Sequence, residues 1–244
     1  MPKLRSLTIF FPFFNDEGTV TKTIRDAYKY GGRVTRDIEV IAVHGGRSSD
    51  NTYGKILQLK KKHPSLIVID KRENKEGYAV IKYGLQKSTK DWVFYTDGDL
   101  QYYLEDLEKL VQMQKKTKAD VVNGFRKSRA DSVIRVVFGS LYKYFSRFAF
   151  NLPISDLTCD FRLIKRSFLK QFILESHDCS IILELIKKLQ KSGAKFAQVL
   201  VRHYPRRYSV STYSISSLLK ERLLGDLRVW LRLLADRDKG NSKR

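Results

Sequence analysis

The sequence predicts an α/β fold in which a mostly parallel sheet is flanked by helices on both sides. Short apolar runs of strand length alternate with longer segments of helical periodicity, which is typical of consecutive βαβ units. The chain has 244 residues, of which 42% are hydrophobic, enough to bury the core of one large domain. We therefore expect one main domain over residues 1–212, followed by a separate C-terminal element over 213–244.

Six apolar runs predict strands, because they are short and rich in β-branched and aromatic residues. These runs are Leu7–Phe11, Ile38–Val43, Leu66–Ile69, Trp92–Thr96, Ala119–Asn123 and Phe196–Val201. The intervening segments predict helices over Gly18–Tyr30, Asp50–Lys62, Tyr78–Lys87, Leu104–Lys115 and Ile181–Lys191. The last of these ends at Ser192-Gly193, and glycine is the common residue after a helix C-terminus.

The C-terminal element is predicted to be an amphipathic, basic helix. Six apolar residues of its helical repeat share one face: Ile215, Leu219, Leu223, Leu227, Trp230 and Leu234. Two interpretations stay open, because amphipathicity does not separate them. The helix packs this face on its own domain, or it lies in a membrane interface, as basic residues beside a leucine and tryptophan face allow.

The chain is strongly basic, with 47 Lys and Arg against 26 Asp and Glu, a net charge of +21. Such a charge predicts an anionic partner: a nucleic acid, a membrane surface or a phosphorylated substrate. The two cysteines, Cys159 and Cys179, are too few for a disulfide framework and favour a reducing compartment. The sequence has neither signal-peptide features nor an apolar stretch of spanning length, so we expect a cytoplasmic protein, peripheral on the membrane.

Asp97-Gly98-Asp99 is the most informative motif of the chain. It follows the apolar run Trp92–Thr96, where a buried strand would reach solvent. Two carboxylates so close together repel each other unless a cation lies between them. The motif therefore predicts a divalent-metal site, with an ordinary Asp-Gly-Asp turn as the alternative.

Polar and glycine residues also follow the first three predicted strands. They form the segments Pro12–Gly18, His44–Thr52 and Glu73–Gly77. Open α/β sheets bind ligands outside the carboxyl ends of their strands, so these clusters and the acid pair predict a nucleotide site. Asn15 and Asp50 are also good helix N-cap residues, which is the alternative interpretation for each loop.

Seven motifs in the order found here resemble those of family 2 glycosyltransferases, which have the Rossmann-like GT-A fold, and of their dolichol-phosphate mannose synthase branch. The resemblance covers about residues 4–212. The motifs are Pro12–Glu17, Ser49–Thr52, Asn74–Gly84, Phe94–Gln101, Gly124–Arg129, Asp156–Arg162 and His203–Ser211.

The resemblance implies an inverting transfer of a hexose from a nucleotide-diphosphate sugar, of the GDP-mannose or UDP-glucose type. It implies Mg²⁺ or Mn²⁺ at Asp97, Asp99 and Gln101, because these ions favour oxygen ligands and neutralise a diphosphate leaving group. Arg206 would lie against the donor diphosphate or the acceptor phosphate. The full predicted donor-binding set is Pro12, Asn15, Asp16, His44, Asp50, Asn74, Lys82, Gly98 and Arg206.

The resemblance also implies a polyprenyl (dolichyl-type) phosphate as the acceptor, bound at a membrane surface, with a membrane-anchoring partner as one way of attachment. Such a phosphate is already ionised and needs no general base. The predicted phosphate ligands are Arg126, Arg129, Arg135, Ser140, Arg162 and Ser211. If the acceptor is instead a saccharide, lipid or protein hydroxyl, a base is required, and Asp156 is the first candidate, with a loop cap or a partner of Arg162 as its structural alternative.

Several positions depart from the family pattern. His44-Gly45 replaces the usual acid pair that reads the donor base, which leaves the nucleotide open because neutral histidine offers one acceptor atom. Asp160 stands where the family has a glycine before Phe161. A nucleic-acid-binding protein is the non-enzymatic alternative, suggested by charge alone, but the sequence has no recognised nucleic-acid motif and we expect no such partner.

Overall fold

The structure is a computed structural model that describes residues 3–73, 77–126, 144–204 and 215–241. In the last of these segments, side chains are described for residues 222–235. Within the described helices, none is long and apolar enough to cross a membrane.

A seven-stranded sheet forms the centre of the molecule, and it confirms the predicted fold class. Its order is β3-β2-β1-β4-β6-β5-β7, and only β6 runs antiparallel to its neighbours. The strands are β1 Leu7–Phe13, β2 Ile38–Gly45, β3 Ile67–Lys71, β4 Trp92–Thr96, β5 Val121–Phe125, β6 Phe161–Lys165 and β7 Phe196–Leu200.

Eight α-helical segments are described around this sheet. They are α1 Val20–Val34, α2 Thr52–Lys62, α3 Ile81–Lys87, α4 Leu107–Thr117, α5 at 144–149, α6 Arg166–Leu169, α7 Ile181–Lys191 and α8 Ile215–Asn241. Two 3₁₀ turns, Gly77–Val80 and Leu104–Asp106, precede α3 and α4. The helices predicted over Tyr78–Lys87 and Leu104–Lys115 therefore both begin as tighter turns.

The sheet separates two hydrophobic cores. Alternate residues of β1 point to opposite sides, so that Phe11 packs toward α1 and α4 while Phe10 packs toward α3 and α7. Phe10 stacks on Tyr95 of β4 with ring centroids 5.2 Å apart. Burial on both faces explains why β1 and β4 are largely apolar rather than alternating.

Strand β6 was not among the predicted strands. It is short, and it carries Arg162, a fully buried charged residue, in the middle of the sheet. It pairs antiparallel with β4 in a register that places Thr96 opposite Phe161 and Tyr95 opposite Arg162. The buried arginine concealed the strand, because apolar patterning does not anticipate a charge in a sheet interior.

Helix α8 packs on the domain, but not through the predicted face. Gly225, Val229 and Leu233 are buried, and Trp230 is half-buried against the same core. Five leucines on another side of the helix are exposed: Leu223, Leu224, Leu227, Leu231 and Leu234. For Leu223, Leu227 and Leu234, the structure therefore does not favour the packing interpretation of the predicted apolar face. We call the five exposed leucines the leucine stripe.

Candidate functional site

The candidate site lies at the carboxyl ends of β1, β2 and β4. Strand β4 ends at Thr96, and Asp97-Gly98-Asp99 turns away directly after it. The Thr23 hydroxyl donates a hydrogen bond of 3.0 Å to the Gly98 carbonyl. A Cβ on Gly98 would lie 2.4 Å from the Phe13 ring, so only glycine fits this close approach. Packing against β1 therefore fixes the position of both acids.

The second acid is held by the residues that follow it. Asp99 is only 7% exposed, and its Oδ1 accepts a hydrogen bond of 3.0 Å from the Gln101 amide. The Gln101 side-chain Nε2 donates to the Tyr204 carbonyl at 3.0 Å, and the Tyr204 amide donates back to the Gln101 carbonyl at 2.8 Å. The acid turn is thus tied to the chain beyond β7.

Tyr78 and Asp160 complete the surroundings of Asp97. The Tyr78 hydroxyl donates to Asp97 Oδ1 at 3.3 Å. Burial raises the pKa of Tyr78 well above its ordinary value, and the charges of Asp160 and Asp97 raise it further. The hydroxyl therefore stays protonated and available as a donor to the carboxylate.

The loops after β1 and β2 are cross-linked by hydrogen bonds. The Asn15 side-chain oxygen accepts from the Ser49 amide at 2.7 Å, and Asn15 itself adopts a positive φ of 55°. Asp50 accepts from the Glu17 amide at 2.9 Å and from the Thr52 amide at 3.0 Å. This geometry favours the loop-capping interpretation of Asp50 over direct contact with a donor base.

Asp16 and Pro12 lie inside the same loop pair. Asp16 is buried, its Oδ2 accepts from the Phe14 amide at 2.9 Å, and its own amide donates to Thr52 Oγ1 at 2.7 Å. Pro12 lies in β1, and its carbonyl would be 3.2 Å from a Cβ on Gly98. Pro12 therefore lies against the acid turn, while Asp16 joins the loops after β1 and β2.

His44 is buried at the end of β2, with 1% of its surface exposed. Its Nε2 shares a hydrogen bond of 2.9 Å with Ser48 Oγ, and its Nδ1 lies 3.8 Å from Asp70 Oδ1. Burial lowers the pKa of His44 below its ordinary 6.5, although Asp70 opposes this shift. The enclosed, neutral imidazole supports the loop after β2. This geometry does not favour the predicted contact of His44 with the nucleotide-sugar donor.

A surface cavity lies beside His44, at the end of β3. Its lining residues are Asp70, Lys71, Arg72, Glu73 and Tyr83. Lys82, a predicted donor ligand, is buried on α3, with its Nζ 3.4 Å from His177 Nδ1 and 5.3 Å from the centre of the Tyr83 ring.

Asp156 and Arg126 form a buried ion pair with two parallel hydrogen bonds. Arg126 Nε lies 3.0 Å from Asp156 Oδ2, and Nη2 lies 3.0 Å from Oδ1. A carboxylate paired in this bidentate way is a poor general base, so the geometry does not favour the base interpretation of Asp156. The structural alternative also needs correction, because the partner of Asp156 is Arg126 rather than Arg162, and the pair leaves Arg126 badly placed for a phosphate.

Arg162 is fully buried beneath the site. Its guanidinium donates to Asn123, to the Tyr95 hydroxyl and to the Leu157 carbonyl, and to Asp160 Oδ1 at 3.0 Å. Four donated bonds in the core leave little capacity for a ligand. This arrangement does not favour the predicted contact of Arg162 with an acceptor phosphate. Arg162 instead bonds Asp160, a residue that the sequence analysis noted only as a departure from the family pattern.

Six predicted ligands lie outside the described residues: Asn74, Arg129, Arg135, Ser140, Arg206 and Ser211.

The acid turn fits a divalent cation by its chemistry. Asp97 and Asp99 offer carboxylate oxygens, and because Gln101 Nε2 donates to Tyr204, a ligand role for Gln101 would fall to its Oε1. No group of three His, Cys, Asp or Glu residues within the described segments is arranged to enclose a metal. A pair of carboxylates suits Mg²⁺ or Mn²⁺ that also binds substrate phosphates, since such ions use one or two protein carboxylates.

Solved structures of similar fold include nucleotide-bound enzymes. Glucosyl-3-phosphoglycerate synthase of Mycobacterium tuberculosis, in complex with Mn²⁺, UDP and glucosyl-3-phosphoglycerate, superposes with a TM-score of 0.67 and 16% identity, over 92% of this chain and 80% of that chain. The same enzyme with Mg²⁺ and UDP gives a TM-score of 0.63, at 16% identity over 92% and 79% of the two chains. At this identity the likeness shows the fold.

Among relatives in sequence, an uncharacterized protein of Methanocaldococcus jannaschii is 28% identical, over 86% of this chain and 94% of its own length. The undecaprenyl-phosphate 4-deoxy-4-formamido-L-arabinose transferase of Proteus mirabilis is 24% identical over 89% of this chain, which covers 65% of that protein. The profile of Glycosyl transferase family 2 matches residues 8–173, more than half of the sequence. The chain therefore belongs to glycosyl transferase family 2.

Proposed function

We propose that the protein is an inverting, metal-dependent glycosyltransferase that transfers a hexose from a nucleotide-diphosphate sugar to a polyprenyl phosphate, in the manner of the dolichyl-phosphate mannose synthases. The observation that carries the proposal is the buried Asp97-Gly98-Asp99 turn, locked against β1 at the carboxyl edge of the parallel sheet. Nucleotides bind at this edge in open α/β folds.

Asp97, Asp99 and Gln101 would hold the cation, and the cation would supply positive charge to the departing diphosphate. The chain's own residues fix this arrangement before any ligand arrives. Tyr78 donates to Asp97, the Gln101 amide donates to Asp99, and Tyr204 holds Gln101. Such preorganised groups lower the barrier because they need not rearrange during the reaction.

A phosphate acceptor agrees with the geometry better than a hydroxyl acceptor. A hydroxyl needs a general base, and the candidate base Asp156 is bound to Arg126 at both carboxylate oxygens. An ionised phosphate monoester is already a nucleophile. The undecaprenyl-phosphate transferase of Proteus mirabilis, by its name, acts on such a lipid.

The exposed apolar residues near α5 and α8 support attachment to a membrane. Tyr144, Phe145 and Phe148 are exposed on α5. Phe150, just after α5, lies 6.2 Å from Phe145 and 6.4 Å from Trp230 of α8 between ring centroids, so the aromatic residues adjoin the helix that carries the leucine stripe. An apolar surface on a protein of net charge +21 suits an anionic lipid surface.

Asp99→Ala tests the proposed mechanism. We expect transfer to a polyprenyl phosphate to fall by at least about 10³-fold in Mn²⁺, because one metal ligand is lost, while the melting temperature stays near that of the wild type. Asp37→Ala is the matched control, since Asp37 is exposed at the opposite end of the sheet. Retained turnover in Asp99→Ala would contradict the mechanism.

An acceptor panel tests the acceptor class. Undecaprenyl phosphate, dolichyl phosphate, phosphoglyceric acid and a neutral glycoside are compared with UDP-glucose and GDP-mannose as donors. Transfer to a lipid phosphate alone supports the proposal. Transfer only to the glycoside would mean that a hydroxyl is the acceptor, and for phosphoglyceric acid, which carries both a phosphate and a hydroxyl, the linkage in the product decides between the two.

A further inference from the structure

Asp160 and Asp97 lie at the same end of the paired strands β4 and β6. The β4–β6 ladder ends at the pair Thr96 and Phe161, and the next residue on each strand is Asp97 and Asp160. Side chains alternate along a strand, so Asp160 lies on the same side of the sheet as Arg162, and Asp97 lies on the same side as Tyr95. Tyr95 and Arg162 are paired in the ladder and hydrogen-bonded to each other. Asp160 is therefore a third acid, at the end of the ladder from which the acid turn begins.

Arg162 fixes the carboxylate of Asp160 in place. Its Nη1 donates to Asp160 Oδ1 at 3.0 Å, while Asn123, Tyr95 and Leu157 hold the rest of the guanidinium. The side chain of Arg162 is fully enclosed, whereas that of Asp160 keeps 12% of its surface exposed. A buried arginine with four donated hydrogen bonds thus holds the partly exposed carboxylate of Asp160 in place.

The chemistry of this position narrows its ligand. The described residues contain no three-acid metal cluster, so Asp160 is not grouped with Asp97 and Asp99 as a cation ligand. A carboxylate only accepts hydrogen bonds, and it repels a doubly charged phosphate. The neutral donor groups that a nucleotide-sugar brings next to its diphosphate are the hydroxyls of the ribose and those of the transferred sugar, and the free diphosphate lacks only the latter.

We propose that Asp160, oriented by Arg162, binds the hydroxyl groups of the transferred sugar and is a specificity-determining residue of this enzyme. The inference rests on the proposed function and deepens it. Arg162 is a positioning residue, since it acts through Asp160 and does not reach the ligand.

Binding measurements on Asp160→Gly and Asp160→Asn separate a sugar contact from a purely structural role. Calorimetry with Mn²⁺ compares UDP with UDP-glucose and GDP with GDP-mannose, and the pair that the wild type binds is used. We expect Asp160→Gly to lose about tenfold or more in affinity for the nucleotide-sugar, because a hydrogen bond to a charged group is removed, while the free diphosphate binds within about twofold of wild type. Asp160→Asn, which can still accept one bond from Arg162, should show a smaller selective loss.

Asp37→Asn, at the far end of the sheet, is the matched control and should leave both affinities unchanged. Equal losses for the diphosphate and the nucleotide-sugar, or no loss for either in both Asp160 variants, would overturn the sugar contact and leave Asp160 as a counter-ion for Arg162. Failure of the wild type to bind any of the four nucleotides would instead contradict the proposed function itself.

Discussion

At the scale of single residues, Gly98 decides where Asp97 and Asp99 lie. Its missing side chain lets the turn approach the Phe13 ring and the Pro12 carbonyl, and a Cβ would be 2.4 Å from that ring. The two acids on either side of Gly98 would have to move with it. A steric change of one methyl group thus acts on both carboxylates at once.

Gly98→Ala should lower both stability and transfer. We expect a loss of about 1–3 kcal/mol from overpacking, measured by urea denaturation, together with weaker Mn²⁺-dependent donor binding. Gly32→Ala is the control, because no atom lies within 4 Å of its added Cβ and alanine is the better helix former. That variant should be as stable as the wild type or more so; equal behaviour of the two variants would contradict the packing argument.

His44 is the residue from which we expect a pH dependence. Burial lowers its folded-state pKa below 6.5, so the unfolded chain takes up the proton first as the pH falls. Stability rises with pH wherever the unfolded state binds more protons, so the free energy of unfolding should decrease from about pH 7 downward. Four carboxyl groups also have lowered pKa values in the folded state: Asp50, Asp70, Asp106 and Glu184. The stability that they contribute is lost in a separate pH range, as the pH falls below their ordinary pKa values near 4.

The measurement is denaturation at a series of pH values between 5 and 8. His44→Gln should flatten the slope between about pH 7 and 5.5, because the buried titrating group is gone. His63→Gln, which alters an exposed histidine, should retain the slope of the wild type. An unchanged slope in His44→Gln would mean that His44 is not its source.

At the scale of elements, α8 shows how one helix serves two environments. Its buried side packs Val229 and Leu233 on the core of α7, while the leucine stripe remains exposed. Leu231 and Leu233 are only two residues apart, but the first is 53% exposed on the leucine stripe and the second is 4% exposed on the buried side. This pair allows the folding and surface roles of the helix to be measured separately.

Leu233→Ala should cost about 2–4 kcal/mol of stability, because it leaves a cavity, whereas Leu231→Ala should cost less than about 0.5 kcal/mol. If the leucine stripe binds membrane, Leu231→Ala combined with Leu227→Ala should weaken sedimentation with vesicles of phosphatidylglycerol and phosphatidylcholine. Leu233→Ala, measured where it is folded, should bind vesicles like the wild type. Unchanged vesicle binding in the stripe variant would contradict this role of α8.

At the scale of the whole molecule, the excess of 21 positive charges favours association with anionic surfaces. Binding to the anionic vesicles should weaken as NaCl is raised from 50 to 300 mM, but a part carried by apolar contact should persist. Duplex DNA of the same charge concentration is the comparison. Tight, salt-sensitive DNA binding without binding of any nucleotide-sugar would favour the nucleic-acid alternative.

The alternation of apolar runs and helical patterns predicted the parallel part of the sheet, since burial on both faces makes its central strands β1 and β4 largely apolar. Strand β6 escaped prediction because Arg162 interrupts its apolar pattern. The acid turn could be predicted from its place after β4. Its wider surroundings could not, because which acid pairs with which base depends on contacts between distant segments, as in Asp156 with Arg126 and Asp160 with Arg162.

The packing side of α8 could not be predicted for a similar reason. A helical repeat with leucines at many positions offers more than one apolar side, and only the shape of the neighbouring surface selects among them. A Cβ added at Gly225 would lie about 3 Å from side-chain atoms of Asp178 and Ser180. The absence of a side chain at Gly225 thus lets the helix lie close to the loop before α7. This close approach, rather than the number of leucines, sets the rotation of α8.

The two hydrogen bonds between Gln101 and Tyr204 join positions 103 residues apart. During synthesis, the first four strands and both acids leave the ribosome long before their brace at Tyr204 has been made. A nascent chain or a truncated fragment that ends before β7 therefore carries the acids without the support that orders them. We therefore expect the proposed cation site at this turn to be complete only when nearly the whole domain has emerged.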